Sequence, residues 1–500
     1  MIEPLQLFKD AIALQNAGQF ADAVAKYDEF LLGYVGNAQI HTNRGIALFE
    51  LGRMDEAIAA YQAAVQSDED YADAHYSMGL ALFLQHRYEE AIVSFDHAIL
   101  LAPSPHVYIS RGAAWFELEQ FEEALSDYDE ALRLDPHFAK AHANRGLAFH
   151  ELGQLDAALA CFERSLFLSP SDHSAEWNQS RSLLRVGNFN LGWQRYERRL
   201  EGSLSQPLMR ERYGKPRYFG VESLAGKTIL LWPEQGHGDV IQFCRYAFEI
   251  ERKGAKVIVE AYSSLVRLFQ IAFMNTSIRV ALDGATSSSE FDFHSPLLSL
   301  PLACGTNEAR EIPADIPYLF AAPEDIQIWK QAMPHKELTK TLRVGLVWAG
   351  GHRPNQPIDA KVDAARSLRL AQFASLIALT QTMRVQFFSL QMGEPAQQLK
   401  MMQGASMVDL TGSISDWADT AALIANLDLV ITCCTAVAHL AAAMGRPTWV
   451  LLHDRACWRW LQNRDDSPWY PTVRLFRQKT RGDWESVIKE VALALDSYNG

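Results

Sequence analysis

The sequence predicts an all-α helical solenoid followed by an α/β region of two lobes, each built on a parallel sheet. A pattern of small and aromatic residues returns about every 34 residues through the first two hundred. Near Lys227 this pattern gives way to short apolar runs that alternate with helical segments, and the alternation restarts at Leu342. Repeats of this length are typical of stacked helical hairpins, and strand–helix alternation is typical of parallel sheets covered on both faces.

The repeat is defined by a small anchor residue and an aromatic residue sixteen positions later. Small residues let the two helices of a unit approach closely, and we expect the aromatic ring to fill the gap between neighbouring units. Pro103, Pro136 and Pro170 are expected to end the second helix of three units. The anchors are Ala11, Gly45, Gly79, Gly112, Gly146 and Ser180, and the aromatics are Tyr27, Tyr61, Phe95, Tyr128, Phe162 and Tyr196. The pattern resembles the tetratricopeptide repeat (TPR) family over about residues 5–202.

By that resemblance, the position two residues before each anchor faces the inner surface of the solenoid. Asn43, Asn144 and Asn178 stand there. Asparagine amides can hydrogen-bond the backbone of an extended peptide without reading its side chains. Solvated polar residues or local helix caps are an equally good interpretation.

Composition narrows the class of protein. The net charge of −14 disfavours a general binder of nucleic acid or anionic membrane, which needs a basic face. The first ten residues lack the basic flank and apolar run of a signal peptide, and the sequence has no uncharged apolar stretch long enough to span a bilayer. The six cysteines are scattered without C-x-x-C spacing, which is typical of a reducing compartment. We therefore expect a cytoplasmic protein with no membrane span.

The second part carries the apolar runs and strand candidates TILLWPE, KVIVEA, IRVAL and FDFHSPLLSLP, and then LRVGLVWAGG, RVQFFSL, MVDLTG, LDLVITC and TWVLL. A helical pattern over residues 240–255 follows the first of these runs. Four segments, EQGHGDVIQFCRYA, LRVGLVWAG, DTAALIANLDLVITCCTAVAHLAAAMGRPTWVLL and SPWYPTVRLFRQ, resemble the heptosyltransferase-like GT-B glycosyltransferases. More closely, they look like bacterial proteins in which that domain follows TPR repeats, some of which are thought to glycosylate flagellin.

The resemblance implies a GT-B fold, with two Rossmann-like lobes and a cleft between them. It assigns residues 1–202 to a TPR superhelix of about six repeats, the last one degenerate. Residues 203–334 become a linker and the N-terminal lobe on the acceptor side. Residues 335–500 become the C-terminal lobe on the nucleotide-sugar side.

A donor site is expected where the strand LDLVIT ends and a helix begins. The first amides of a helix have no intrahelical partner, so they can bind phosphate oxygens. By resemblance, the family motif reads Asp-Thr-x-x-x-His, and this chain has Cys434 where Asp is expected. A helix cap at the threonine and a packed core histidine are the alternatives. The donor-binding candidates here are Thr435, Ala436, Val437 and His439.

Asp239 is the candidate catalytic residue. By resemblance it matches the Gly-Asp of heptosyltransferases, whose acid is the proposed general base that activates an acceptor hydroxyl. The alternative is a helix N-cap, and the two roles are compatible. Glycines let the loop pass close to substrate, so Gly236 and Gly238 are expected to position the acceptor together with Glu234 and Gln235.

A third group follows the strand VGLVWAG, in a predicted loop over residues 351–367. Relatives place basic residues here against the donor phosphates, and charge-assisted bonds would stabilise the leaving diphosphate. Arg353 and Lys361 are better explained as solvated side chains. Gln391 ends a neighbouring strand. The donor-binding candidates from this lobe are Arg366, Ser367 and Gln391.

Together these features predict an inverting, metal-independent glycosyltransferase that needs no cofactor besides its nucleotide-sugar donor. Its acceptor would be a protein held on the concave TPR face, with flagellin as one candidate. The alternative is a catalytically degenerate GT-B fold that serves as a TPR scaffold. The catalytic interpretation requires that the loop with Asp239 and the helix opening at Thr435 face each other across a shared crevice, and it fails if the protein's own side chains fill that crevice.

Overall fold

The structure is a computed structural model that describes residues 4–35, 37–200, 213–334, 341–351, 357–381, 385–402 and 406–498. The chain divides into two compact units, Met1–Gln179 and Ser180–Gly500. Within the described ranges, none of the helices combines the length and the apolar composition that a membrane span needs.

The first unit consists of helical hairpins stacked in chain order, as the repeat predicts. Pro103, Pro136 and Pro170 each stand two residues beyond the end of a second helix, which confirms their predicted positions. The hairpins are α1 (Pro4–Asn16) with α2 (Phe20–Gly33), α3 (Ala38–Glu50) with α4 (Met54–Ser67), α5 (Ala72–Leu84) with α6 (Tyr88–Leu101), α7 (Pro105–Glu117) with α8 (Phe121–Leu134), and α9 (Ala139–Glu151) with α10 (Leu155–Leu168).

Each anchor glycine packs against the aromatic residue of its own hairpin. A Cβ added at Gly45 would lie 2.4 Å from the ring of Tyr61, and one at Gly79 would lie 2.5 Å from the ring of Phe95. The ring therefore occupies the space that a side chain on the facing helix would need. This differs from the expected position between neighbouring units, and it explains why glycine and the aromatic residue repeat together.

The sixth repeat is formed by α11 (His173–Arg185) and α12 (Phe189–Tyr196), and the boundary between the two compact units falls within α11. Within the second unit, α12 packs through Trp193. Its ring meets the rings of Phe243, Trp458 and Trp469 edge-on, at centroid distances of 6.3, 5.2 and 6.5 Å. The apolar side chains of α12 are thus buried within the second unit.

The first lobe is a four-stranded parallel sheet of order β3-β2-β1-β4. The segment 240–255, expected to be one helix, is interrupted around Cys244 and Arg245, so that two short helices replace it. The elements are β1 (Thr228–Trp232), α13 (His237–Phe243), α14 (Tyr246–Arg252), β2 (Lys256–Ala261), α15 (Val266–Ala272), β3 (Arg279–Leu282), β4 (Phe293–Pro296) and α16 (Leu300–Ala303).

The second lobe is a six-stranded parallel sheet of order β10-β9-β8-β5-β6-β7. Across the two lobes a strand forms in each of the nine predicted runs, but the run FDFHSPLLSLP becomes helical after Pro296, and β10 was not predicted. The predicted loop over 351–367 is wrong in part, because residues 357–366 are helical. The elements are α17 (Pro323–Ala332), β5 (Leu342–Val347), α18 (Pro357–Arg366), α19 (Ala374–Ala378), β6 (Val385–Ser389), α20 (Gln397–Met401), β7 (Met407–Asp409), α21 (Trp417–Ile424), β8 (Leu429–Cys433), α22 (Ala436–Ala443), β9 (Thr448–Leu452), β10 (Val473–Arg477) and α23 (Trp484–Asp496).

Arg267 links the two lobes. It lies on α15 of the first lobe and pairs with Asp416 and Asp419, at the start of α21 in the second, at 2.7 and 2.5 Å. It also pairs with Asp325 of α17 at 2.9 Å. One guanidinium shared by three carboxylates fixes how the helices of the two lobes meet.

Candidate active site

The loop after β1 ends in the N-terminus of α13. Gly236 precedes the helix in an extended conformation, and its amide donates to the carboxylate of Asp239 at 3.2 Å. One carboxylate oxygen thus satisfies a backbone donor that the helix itself cannot pair. The predicted N-cap position is wrong, because Gly236 is the N-cap and Asp239 is the third residue of the helix; the Asp239 side chain instead caps the amide of Gly236.

The other carboxylate oxygen of Asp239 forms an ion pair with the guanidinium of Arg459. Both side chains are largely buried, with 15% of Asp239 and 13% of Arg459 exposed. Arg459 also lies over the ring of Trp458, at 4.3 Å from its centroid. Arg459 follows β9 of the second lobe, so the pair joins the lobes across 220 positions of sequence. The sequence interpretation did not include Arg459.

The second helix N-terminus of the site belongs to α22. Thr435 stands at the N-cap in an extended conformation, and its hydroxyl lies 3.0 Å from that of Thr432. Ala436 and Val437 are the first residues of the helix, where amides point outward along the axis. The aligned peptide dipoles of the helix favour negative charge at this end.

The two helix N-termini are in direct contact. A Cβ added at Gly238 of α13 would lie 3.1 Å from Cδ2 of His439 and 3.4 Å from Cα of Ala436 on α22. The close approach depends on the missing side chain at Gly238. The structure therefore brings the Asp239 loop and the helix opening at Thr435 together. At Gly238 the two are in direct contact, whereas the catalytic interpretation requires an open crevice between them, so the requirement is met only in part.

His439 is buried behind this contact. Its Nδ1 lies 3.0 Å from the hydroxyl of Tyr470, and its ring stacks on Trp460 at a centroid distance of 5.1 Å. Burial lowers the pKa of His439 far below its ordinary value, so the imidazole is neutral near pH 7. These contacts are those of a packed core histidine that supports the first turn of α22.

Arg366 lies beside the same helix N-terminus. Its guanidinium donates to the carbonyl of Cys434 at 3.0 Å and pairs with Asp363 one turn earlier on α18. The side chain passes over Gly350, where a Cβ would come within 2.8 Å of the guanidinium. A positive charge therefore lies directly next to the start of α22.

Ser367 and Gln391 hold the turn after β5. The Ser367 hydroxyl accepts from the amide of Gly350 at 3.0 Å. The side-chain oxygen of Gln391 accepts from the amides of Trp348 and Ala349 at 3.1 and 2.8 Å. Both residues lie where predicted, and these bonds to the backbone shape the loop on which Arg366 packs.

Glu234 and Gln235 make bonds within the protein. Glu234 is buried and accepts from Arg199 with both carboxylate oxygens, at 2.9 and 2.5 Å. Gln235 has a backbone φ of +60°, and the Nε2 of its side chain donates to the Tyr196 hydroxyl at 3.1 Å. Both contacts tie the loop to the end of α12. The acceptor-positioning role of these two residues stays a prediction, and the Glu234 pair gives that residue a structural role.

The remaining residues that the sequence analysis named lie outside the contacts between α13, α22 and the loop after β5. Lys361 is exposed on α18, and Arg353 falls outside the described residues. In the repeat unit, Asn43, Asn144 and Asn178 are all partly exposed, and Asn43 hydrogen-bonds the hydroxyl of Tyr27. Their proposed contacts with a peptide remain a prediction.

Comparison with protein families finds two kinds of match. TPR family models match residues 45–86 and 112–153, and also 72–105 and 139–172. The family glycosyltransferase family 9 (heptosyltransferase) matches residues 368–455. That segment runs from the end of α18 through β9, so it contains Gln391 and the start of α22 and leaves Asp239 and Arg459 outside.

Comparison with individual proteins finds a relative that matches part of the chain. The chain is 27% identical to protein FlbA of Caulobacter vibrioides over 330 residues, which is 61% of this chain and 52% of that protein. The chain thus spans about half the length of this relative.

Solved structures match the repeat region. MamA is 23% identical over 33% of this chain and 96% of its own, with a TM-score of 0.31. YrrB, described as a TPR protein with an unusual peptide-binding site, is 21% identical over 39% of this chain and 96% of its own, with a TM-score of 0.30.

Proposed function

We propose that this chain, which joins TPR repeats to a glycosyltransferase family 9 domain, transfers a sugar from a nucleotide-sugar donor to a hydroxyl group of an acceptor protein. The reaction inverts the anomeric carbon and uses no metal ion. The observation that carries the proposal is the contact between two helix N-termini from different lobes, one bearing Asp239 and the other opening at Thr435.

The donor diphosphate binds at the start of α22. The amides of Ala436 and Val437 and the helix dipole favour an anion at this end. Arg366 supports this assignment, because its guanidinium already lies against the carbonyl of Cys434, one residue before the N-cap. In the transition state, negative charge grows on the departing phosphate oxygen, and these groups stabilise it without a metal.

Asp239 acts as the general base. Its carboxylate takes the proton of the acceptor hydroxyl as the hydroxyl oxygen attacks the anomeric carbon. The bond from that carbon to the phosphate oxygen breaks, and the nucleoside diphosphate leaves from the opposite face. A positioned base of this kind contributes roughly 10²- to 10⁴-fold in rate.

Arg459 couples donor binding to the base. Without a donor it pairs with Asp239, and so occupies the carboxylate that must receive a proton. A bound diphosphate offers the guanidinium a stronger anionic partner within the same site, so Arg459 turns to the phosphate and releases Asp239. The base is thus freed when the donor is in place.

The TPR repeats present the acceptor protein. Their partly exposed asparagines support binding of an extended segment through its backbone. Flagellin is one acceptor of this type. The repeats leave the chemistry to the second unit, because a repeat array by itself is a binding platform.

A second function is a scaffold built on a transferase fold without activity. Two observations favour it: Cys434 stands where the resemblance expects an acid, and Asp239 is already paired with Arg459. In that case the second unit binds a nucleotide or a partner without transfer.

The test uses the purified full chain with a panel of UDP-, GDP-, ADP-, dTDP- and CMP-sugars. A donor that binds only the folded chain stabilises it by about 2.7 kcal/mol when its concentration is 100 times its Kd. This stabilisation raises the midpoint of unfolding. We expect one nucleotide class to stabilise the chain and its radiolabelled sugar to reach a protein acceptor, with and without a metal chelator. Stabilisation without transfer to any acceptor would favour the scaffold, and the absence of both would reject the donor site.

A further inference from the structure

A cavity of about 910 Å³ lies between the first lobe and the segment that leads to α17. Residues 245–252, along α14, and 271–276, at the end of α15, form one side of it, and residues 313–324 form the other. Since α14 and α15 lead into β2 and β3, the ends of these helices lie at the edge of the sheet opposite to the one where α13 begins. Among the described residues that line the cavity, none is a donor or acceptor candidate, so the cavity is separate from the candidate active site.

The walls of the cavity are mainly apolar. Two of its side chains, Met274 and Phe320, are large and apolar and yet 73% and 43% exposed. A concave surface of this volume, lined by apolar side chains and a few polar groups, is typical of a small-molecule site. The cavity therefore fits an apolar molecule or the apolar part of one. Its apolar side chains include Phe248, Ile271, Met274, Pro317, Phe320 and Ala321.

Arg245 is the buried charged residue of the cavity, with 2% of its surface exposed. The guanidinium has five N–H groups and makes four hydrogen bonds, so one N–H, on Nη2, has no partner among the described residues. A buried donor without a partner costs free energy, which a ligand that accepts from it would offset. The four acceptors are the carbonyls of Gln242, Pro313 and Trp469, at 2.9, 3.1 and 2.7 Å, and the Tyr318 hydroxyl at 2.8 Å.

The charge of Arg245 is not neutralised by a carboxylate within the described parts of the chain. All four hydrogen-bond partners are neutral, and the ring centroids of Tyr318 and Tyr470 lie 4.4 and 4.5 Å from the guanidinium carbon. Carbonyl dipoles and aromatic faces offset part of the cost of burying a cation, but they leave its net charge in place. A buried positive charge at the wall of a cavity therefore favours an anionic group inside it.

Other charged residues line the cavity where solvent screens them. Arg252, Asp315 and Glu324 are exposed, and Glu251 is half-buried. One carboxylate oxygen of Glu251 accepts from the amide of Ser277 at 2.7 Å. Exposed charges interact weakly because water surrounds them, so the charge that a ligand meets in the apolar part of the cavity is that of Arg245.

We propose that this cavity binds a small amphipathic anion, an aliphatic chain that ends in a carboxylate. The chain lies against the apolar walls, and one carboxylate oxygen accepts from the N–H of Arg245 that has no partner within the described residues. A carboxylate fits better than a phosphate, because a phosphate has more charge and more oxygens than one N–H can serve in apolar surroundings. The proposal goes beyond the proposed glycosyl transfer and does not depend on it.

The experiment titrates the full chain with decanoate and, in parallel, with 1-decanol, which has the same chain length without the charge. Calorimetry gives the Kd and the stoichiometry, and the unfolding midpoint gives a second measure, because a ligand that binds only the folded chain raises it. We expect one decanoate per chain, bound about 10- to 100-fold more tightly than 1-decanol, since a hydrogen bond between charged groups contributes a difference of this size. Equal affinities for the two compounds, or no binding of decanoate, would overturn the proposal.

Matched variants locate the bound decanoate. Met274→Asp places a negative charge on the wall of the cavity, and Leu493→Asp places one at an equally exposed position on α23, since both side chains are 73% exposed. We expect Met274→Asp to weaken decanoate binding by about 10-fold or more and Leu493→Asp to bind as wild type does. Binding that is unchanged in Met274→Asp would place decanoate elsewhere and contradict the assignment.

Arg245→Met tests the role of the buried charge. We expect this variant to lose the preference for decanoate over 1-decanol, because the group that distinguishes them is gone. A preference that persists in Arg245→Met would overturn the role of the guanidinium. The comparison of the two compounds on the wild-type chain and the two substitutions at exposed positions decide the proposal even if Arg245→Met fails to fold.

The molar mass of the chain in solution is measured in the same samples. We expect a mass that does not depend on decanoate. A dimer that decanoate dissociates would identify a second copy of the chain as the occupant of the cavity and would overturn the proposal of a small anion.

Discussion

Replacing Gly238 by alanine tests the contact on which the site depends. The added methyl carbon would lie 3.1 Å from Cδ2 of His439, whereas unstrained carbon atoms meet at about 3.5–4.0 Å. His439 has little room to yield, because it stacks on Trp460 and bonds the Tyr470 hydroxyl. The strain must therefore be relieved by moving α13 away from α22.

The magnitude follows from two opposing effects. Overpacking of this kind costs roughly 1–3 kcal/mol. Alanine in a helix is favoured over glycine by up to about 1 kcal/mol, which offsets part of the cost. We expect Gly238→Ala to lower the free energy of unfolding by about 1 kcal/mol and to weaken donor binding, since the N-terminus of α22 is displaced.

Gly236→Ala is the matched control. Its Cβ would have a contact at 3.6 Å with the Asp239 carboxylate, and its φ of −90° suits any residue. In urea titrations, the free energy of unfolding of Gly238→Ala should therefore be about 1–2 kcal/mol lower than that of Gly236→Ala. Equal stability of the two variants, or a more stable Gly238→Ala, would refute the contact between α13 and α22.

Three further predictions concern the two units separately. Gly45→Ala should destabilise the repeats by about 1–3 kcal/mol, because its methyl group enters an aromatic ring, whereas Gly33→Ala, with open space at Cβ, should be neutral or stabilising in the same urea titration. Arg366→Met should weaken nucleotide-sugar binding in calorimetry by about 10- to 100-fold, since it removes a charged hydrogen bond, while Lys361→Met on the same helix should bind as wild type does. Burial lowers the pKa of His294 to about 4 in the folded chain. As the pH falls below about 6.5, this histidine therefore binds a proton in the unfolded chain while it is still neutral in the folded chain. Stability should fall by up to about 3 kcal/mol between pH 6.5 and 4, and His294→Gln should flatten that slope in unfolding curves.

The features predictable from the sequence were those with local causes. A glycine and an aromatic residue, such as Gly45 and Tyr61, recur at fixed spacing because each hairpin needs the same contact. The strands appear in the sequence as apolar runs because a parallel sheet is covered on both faces. The start of α22 was predictable for the same reason, since the strand before it and the helix after it are both apolar and short.

The partners within the site could not be predicted because they depend on long-range packing. Arg459 contacts Asp239 only because the loop after β9 in one lobe lies against the loop after β1 in the other. Arg199, which directly follows the last repeat, forms an ion pair with Glu234 in the loop after β1. A charged residue in a loop looks the same in sequence whether it faces solvent or a carboxylate. The helix α18 was taken for a loop because its segment mixes prolines and charges and has a weak apolar pattern.

The most direct test of the proposed catalysis is the rate of sugar transfer by Asp239→Asn, measured beside donor-dependent stabilisation of the same sample. Asparagine keeps the shape of the side chain and can still accept from the amide of Gly236, but it is not basic. We expect transfer to fall by about 10²- to 10⁴-fold while the donor still raises the unfolding midpoint. Transfer at the wild-type rate with a fully bound donor would contradict the assignment of Asp239 as the base.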